Sequence, residues 1–375
     1  MRFIYGLLSL CFLIFFHELG HFLAARLFGV TVESFSIGFG PILFHRKKGC
    51  TDYRISLIPL GGYCGMKGEK DFVKSLEAGL DYIQAESDSL YGVHTIKRIA
   101  IAFAGPFFNL LFAFIGYTII ASIGYSYYSY SNRIKLVTET YPEIHSAAAD
   151  AGLLSGDRII QINGEKIENF RDIIEEIGTR PDENITVKVL RDDEEKNFSF
   201  RTDLDKSNGS GKIGVMSFDS EYAKYEAKRY SFFPALGQGA LECAKTIKLT
   251  AKGIFTLFKG VDLKNSVSGP ARIADMIGTV LKESFSDGLR TGIVNMFYFC
   301  GAISISLFIM NLLPVPILDG GLILFALIEL IFRRKISPKV LYYIQFAGVA
   351  FIAVLFFIGL NGDINYFWNL IKGAK

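Results

Sequence analysis

The stretch FIYGLLSLCFLIFFHELGHFLAARLF, residues 3–28, decides how the rest of the chain is read. Phe3 to Phe16 carries no charge, and the apolar pattern runs on past His17, Glu18 and His21 to Phe28. A bilayer span needs roughly 20 such residues. An N-terminal apolar run also marks a secretory signal, but no small-residue cleavage site closes this one, and two histidines and a glutamate sit inside it. A retained span then has to account for those ionisable side chains.

His17-Glu18-Leu19-Gly20-His21 is an HExxH sequence in a helical run, so the two imidazoles lie one turn apart on the same face, where both reach one zinc ion. Glu18 is placed for general-base work on a water at the metal. Within a span each ionisable residue costs about 2.5–3.5 kcal/mol on insertion scales. Three fall within five positions, which makes chance a poor explanation.

Outward from this segment, the composition is that of a protein divided between lipid and water. The 375 residues are 50% hydrophobic and 21% charged, with a mean hydropathy of +0.32. Ile99–Tyr125, Ile293–Leu318 and Leu341–Leu360 contain no charge, which raises the expected spans to four. Arg46, Lys47, Lys48, Lys97 and Arg98 lie between the first two spans, and Arg333, Arg334, Lys335 and Lys339 between the last two. By the positive-inside rule both loops face the cytoplasm. The termini and the long middle region then face outward, into the periplasm in a Gram-negative cell. A net charge of +3, with no basic stripe carrying interleaved aromatics, gives no reason to expect a nucleic-acid partner. Cys11, Cys50, Cys64, Cys243 and Cys300 are odd in number and scattered, so they are read as packing residues and not as a disulfide framework or zinc pair.

Zinc catalysis generally uses a third protein ligand and an open position. A third histidine in the metzincin spacing would fall at position 27, which is Leu27. Asp319 is the better candidate, at the end of Asn311-Leu312-Leu313-Pro314-Val315-Pro316-Ile317-Leu318-Asp319-Gly320-Gly321. The two prolines break the helix there, and broken backbone at membrane depth is tolerated where it lines a site. The plainer reading is that Asp319 caps the following helix.

Between the first two spans, Phe35–Pro41 and Tyr53–Tyr63 alternate partly and end in turn residues, as a β hairpin does. Such a sheet beside a membrane needs its backbone paired or lining a protein cavity; an ordinary cytoplasmic hairpin fits the pattern equally. Glu69–Asp88 reads as a solvated acidic helix or loop. Ala148 to Gly164 resembles the central signature of a PDZ domain, with a short helix, the Ser155-Gly156-Asp157 turn and a strand ending at Asn163-Gly164; Asp172–Ile177 would be its second helix. After the linker Asn208-Gly209-Ser210-Gly211, residues Leu236, Ala240, Ala244, Ile247, Ala251, Ile254 and Phe258 recur at helical spacing. Gln238, Glu242, Lys245, Lys248, Lys252 and Lys259 lie mainly opposite. That amphipathic helix lies on a membrane surface or packs on its neighbour.

Together, HExxH in the first span and NxxPxPxLDG at the end of the third resemble the site-2 protease family of intramembrane zinc metalloproteases. The PDZ-like region makes the chain similar to the bacterial branch of the regulator of sigma-E protease type, here with a single PDZ domain. Phe35–Pro41, Tyr53–Gly65, Gly105-Pro106-Phe107-Phe108-Asn109 and Ser268-Gly269-Pro270 also match that family, so the likeness runs over nearly the whole chain. It implies a polytopic α-helical membrane protein with a membrane-associated β region and an inserted α+β PDZ-like domain. The expected divisions are a first span (1–28), a cytoplasmic-side loop with the β region (29–98), a second span (99–125) and the PDZ-like domain (132–218). An amphipathic helix and linker (219–288), a third span (289–318), a fourth (341–360) and a tail (361–375) follow.

The resemblance further implies that His17, His21 and Asp319 hold Zn2+, that Glu18 is catalytic and that Asn311 contacts substrate. Asn109 is the weaker match, since an Asn beside Gly-Pro also satisfies freed backbone groups. The substrates would be single-pass transmembrane proteins, such as anti-sigma factors, or remnant signal peptides. They would be cut within the lipid bilayer of the bacterial cytoplasmic (inner) membrane, toward its cytoplasmic side, with the PDZ-like domain periplasmic. A helical substrate must unwind to be cut, and the Tyr53–Tyr63 edge, with Ile55 and Leu57, is expected to hold it as an added strand. One PDZ signature where the best-known enzyme has two, and Ala147 in place of the usual proline, leave peptide binding by that domain open; the sequence does not set the oligomeric state. A metal transporter would spread its His and acidic residues through the spans, and an inactive PDZ-bearing scaffold would have no need of an intact HExxH.

Overall fold

The computed structural model describes residues 2–207, 209–256 and 268–373. They form two compact units, one of Met1–Ser122, Ser231–Ile247 and Ser268–Lys375, the other of Ile123–Tyr230 and Lys248–Val267.

The first unit opens with α1 (Arg2–Leu27). Two long strands follow, β1 (Val32–Lys48) and β2 (Thr51–Met66), then the short α2 (Asp71–Glu77) and α3 (Thr95–Ile123). The hairpin is curled so that Ser34–Ile37 pairs twice, with Asp52–Ile55 on one side and Gly62–Gly65 on the other; Asp52–Ser56 in turn pairs with Ile42–Lys47. Gly38 makes the bend possible. Its φ is +89°, and a Cβ there would sit 2.9 Å from the Ser56 and Ile58 carbonyls, a conformation and a space that suit only glycine. The far part of the hairpin leaves Phe39, Ile42, Leu43, Phe44, Leu57 and Ile58 exposed, next to the basic run Arg46–Lys48. The segment from Glu69 is not wholly solvated as expected. Phe72 and Ile83 are buried in a cluster with Tyr91 and Leu341.

The second unit contains a four-stranded antiparallel sheet in the order Glu165–Lys166, Arg158–Ile162, Asn184–Arg191, Glu194–Arg201. Two helices accompany it, α4 (Ala147–Asp150), capped by Ser146, and α5 (Phe170–Gly178), opened by a capping box of Asn169 and Asp172. The Ile162-Asn163-Gly164 turn has φ of 50° at Asn163 and 91° at Gly164, the positive pair that a tight hairpin requires. A ladder of Ser126–Tyr130 with Tyr222–Glu226 also belongs to this unit.

The chain continues with α6 (Phe232–Thr256), α7 (Pro270–Ser286), α8 (Leu289–Asn311), α9 (Asp319–Phe332) and α10 (Pro338–Gly373). Among the described residues four helices, α1, α3, α8 and α10, are long and apolar enough to cross a membrane, the number expected. The last continues through the stretch expected to be a tail. The buried face of α6 is not the expected stripe. Ala235, Gly239 and Cys243 are buried while Ala240 and Ala244 are exposed, and Gly239 lies against Thr118 of α3. Small residues let two backbones approach where apolar bulk gives no advantage over lipid. Phe258, Lys259 and Asn208 lie outside the described residues. All five cysteines are free thiols.

Candidate metal centre

His17 and His21 face the same side of α1, toward α3. Two glycines make that approach possible: a Cβ on Gly20 would meet the Ala104 carbonyl at 2.3 Å, and one on Gly105 would meet His21 Nε2 at 2.2 Å. Pro106 lies within α3; it lacks the N–H that would reach the Ala102 carbonyl one turn back. In that turn the Ile101 carbonyl accepts a hydrogen bond from His21 Nδ1 at 2.9 Å. The proton on Nδ1 leaves Nε2 with a free lone pair.

Asp319 arrives from the opposite side. After α8 ends at Asn311, the chain turns through Pro314 and Pro316, and Asp319 is the first residue of α9; the residue before it, Leu318, is the cap and makes no side-chain capping bond. Asp319 is therefore not acting as the N-cap. Its carboxylate lies 3.3 Å from His17 Nε2 and 3.3 Å from His21 Nε2. Ile317 precedes it at φ +90°, a rare conformation for a β-branched residue and one found where surrounding structure over-determines a functional loop.

The two Nε2 atoms are 3.2 Å apart. One nitrogen from each ring and a carboxylate oxygen, all within 4.8 Å of one another, are donors of the kinds that zinc takes. Asp319 Oδ2 is buried without a hydrogen-bond donor, and two imidazole lone pairs turned toward each other and a carboxylate call for a cation. The donor set fits zinc.

Glu18 lines the same cavity of about 490 Å³ as His17, His21, Asp319 and Asn311. Gly62 of β2 lies against the Glu18 side chain, and the Cys64 backbone N–H faces its carboxylate. The edge of the β region that runs past the site is therefore Gly62–Met66. Ile55, expected at an edge, is paired on both sides, with Ile37 and with Phe44, and neither it nor Leu57 lines the cavity. The alternation that marks a strand does not reveal how many neighbours the strand will have.

Asn109, given little weight in the sequence, has its carboxamide 3.1 Å from His17 Nδ1. With Nε2 free for a metal, Nδ1 carries the hydrogen and the carboxamide oxygen is its acceptor. Turning the amide so that its oxygen faces Nδ1 gives a donor to an oxygen otherwise buried without one. The backbone carbonyl of Asn109 accepts from Ser304 of α8 at 2.8 Å. Each imidazole is thus oriented through its far nitrogen, as metal-ligating histidines are. The available signal was a lone amide in a charge-free run, one turn beyond Gly105.

Residues 5–355 match the model of peptidase family M50. The chain belongs to peptidase family M50. Its relatives include a Treponema pallidum protein named "Putative zinc metalloprotease", 33% identical across 98% of this chain and all of the relative. A Campylobacter jejuni protein of like name is 35% identical across 97% of this chain and 94% of its own length. The regulator of sigma-W protease RasP of Bacillus subtilis is 29% identical across 94% of this chain and 96% of its own. This M50 peptidase is a zinc metalloprotease carrying several apolar helices of membrane-spanning length, which sets aside the transporter and scaffold readings.

Proposed function

We propose that this M50 peptidase hydrolyses peptide bonds inside the transmembrane segments of single-pass membrane proteins, anti-sigma factors or remnant signal peptides, in the bacterial cytoplasmic membrane. The observation that carries the reading is the place of Glu18, in the middle of an apolar helix of spanning length and in one cavity with His17, His21 and Asp319. The name of the sigma-W relative supports a substrate in sigma-factor regulation.

His17, His21 and Asp319 would hold zinc, which when bound would supply Lewis-acid polarisation of the scissile carbonyl and acidify the attacking water. Glu18 accepts the proton of that water as its oxygen adds to the carbonyl carbon, then hands the proton to the amide nitrogen as the C–N bond breaks. The Asn311 carboxamide, in the same cavity, donates to the carbonyl oxygen as charge builds on it. Asn109 and Ile101 fix the two imidazole rings. The substrate segment, unwound, adds as a strand along Gly62–Met66, where main-chain hydrogen bonds replace those of its helix. That placement supersedes the one through Ile55 and Leu57.

The exposed apolar part of the hairpin enters the membrane interface, with Arg46, Lys47 and Lys48 at the cytoplasmic headgroups. The second unit is PDZ-like and periplasmic. It excludes substrates with bulky outer domains or senses an earlier cut.

The test is cleavage of a reconstituted single-pass substrate by the purified protein and its Glu18→Gln variant, with the products sequenced. A cut inside the membrane segment, made by the wild type alone and stopped by a zinc chelator, is expected. A cut confined to soluble flanks, or equal cutting by both proteins, contradicts the proposal.

A further inference from the structure

The catalytic cavity is walled by one more pair of charges that the reaction above does not use. Arg98, in the first turn of α3, donates to the Glu329 carboxylate of α9, 231 residues away in sequence. Both side chains are withdrawn from solvent, at 12% and 5% exposure. The guanidinium lies over the Tyr91 ring, 5.3 Å from its centroid, and donates to Thr95 Oγ1 at 3.3 Å, while its Nε is buried with no acceptor. The other Glu329 oxygen accepts from the Ile336 backbone N–H at 3.1 Å.

Desolvating two charges is costly, and the best-attested return on such a pair is that it fixes the register of the elements it joins. Here the elements are those that build the metal centre. Glu329 is ten residues, about 15 Å, along α9 from Asp319. Arg98 is three residues before Ile101, whose carbonyl orients His21, on the helix that also presents Asn109 to His17. A helix turned or slid at one end carries its other end with it, and the carboxylate of Asp319 has to stay within about a few tenths of an ångström of its place for the donor set to close on a metal.

We propose that Arg98 and Glu329 are positioning residues that lock α9 against α3 and so hold Asp319 in register with His17 and His21. The proposal rests on the reading that these three side chains hold the zinc. It assigns no contact with substrate to either residue.

The test is Co2+ binding to the full-length protein, followed by the visible spectrum of the bound metal and by competition with a chelator. Glu329→Gln keeps the volume and an acceptor but loses the charge, Arg98→Lys keeps the charge but loses the fork, and Asp319→Ala serves as the reference for a lost ligand. Glu329→Gln is expected to weaken Co2+ binding severalfold, less than the roughly 10–100-fold for a group bonded directly to a ligand, and to alter the Co2+ spectrum. Arg98→Lys is expected to fall between it and the wild type. The charge-exchanged double variant Arg98→Glu with Glu329→Arg is expected to recover part of the loss of Glu329→Arg alone. If both conservative variants bind Co2+ with the affinity and spectrum of the wild type, even with lowered thermal stability, the pair is structural only and the proposal is overturned. If Asp319→Ala also binds as the wild type does, the ligand assignment falls and the proposal with it; weakened binding in Asp319→Ala alone refutes the positioning role and leaves the ligand assignment standing.

Discussion

The two units of this peptidase differ in how much buried polar chemistry accompanies their apolar packing. In the second, Ile134, Leu153, Ile159, Ile162, Ile173, Ile185, Val187 and Val189 form one continuous aliphatic core. The buried Asp157 at its margin is paired with Arg191 through two hydrogen bonds of 2.6 and 2.7 Å. In the first unit, apolar packing such as that of Leu10, Ile277 and Leu281 is accompanied by buried polar contacts between helices. Asp275 of α7 accepts from Arg2 of α1 at 3.0 Å and from Tyr366 of α10 at 3.1 Å. Asp363 of α10 accepts from the backbone of Gly269 and Ala271 at the start of α7. Water drives apolar side chains together in a soluble domain, but between helices in lipid that drive is absent, and close packing and hydrogen bonds take its place. One consequence is that the first unit already deals in buried polar groups, and a catalytic centre made of them is an extension of how it is built.

That contrast can be broken most sharply at Glu18. Glu18→Gln is expected to reduce kcat about 10²–10⁴-fold with zinc content unchanged, measured by metal analysis beside a cleavage assay; lost zinc would make Glu18 part of the scaffold. In the second unit the matching cut is Ile159→Ala, expected to cost about 2–5 kcal/mol of that unit's stability and to leave zinc affinity as it was. A common fall in both, seen by denaturation and chelator titration, would mean the units are not energetically separate. Asn109→Leu is expected to weaken zinc binding about 10–100-fold, since His17 Nδ1 then has no acceptor; unaltered binding would remove Asn109 from the site. The smallest effect belongs to Asp363→Ala, about 1 kcal/mol, as for a lost helix cap. Hydrogen exchange would locate it at Gly269 to Ala271, and no change there would show that the cap is dispensable.

The metal centre was unusually legible because its parts obey local rules. The spacing of His17 and His21 is one helical turn whatever else the chain does, and the prolines at 314 and 316 announce a break just ahead of Asp319. The four spans were visible as charge-free runs. What escaped depends on closure in three dimensions. At 14 residues, α9 is too short for a criterion based on crossing a bilayer. Ser34–Ile37 takes partners on both sides only because β2 curls around it, which left Ile55 interior and moved the free edge to Gly62–Met66. In the sequence Arg98 is one of several positive charges beside a span; its partner lies 231 positions on and no periodicity connects the two. In α6 the hydrophobic stripe pointed to Ala240 and Ala244, whereas small residues on the neighbouring face decided the packing.

The central claim, that rare ionisable residues within apolar helices form the zinc site, is tested most directly by X-ray absorption spectroscopy of the zinc-loaded protein. Cys64 lines the same cavity as the three donors, so an alternative ligand is at hand and would be seen. A first shell of nitrogen and oxygen only is expected, with imidazole scattering from two rings that falls to one in His21→Ala. A sulfur in that shell, or a spectrum that His21→Ala leaves unaltered, would contradict it.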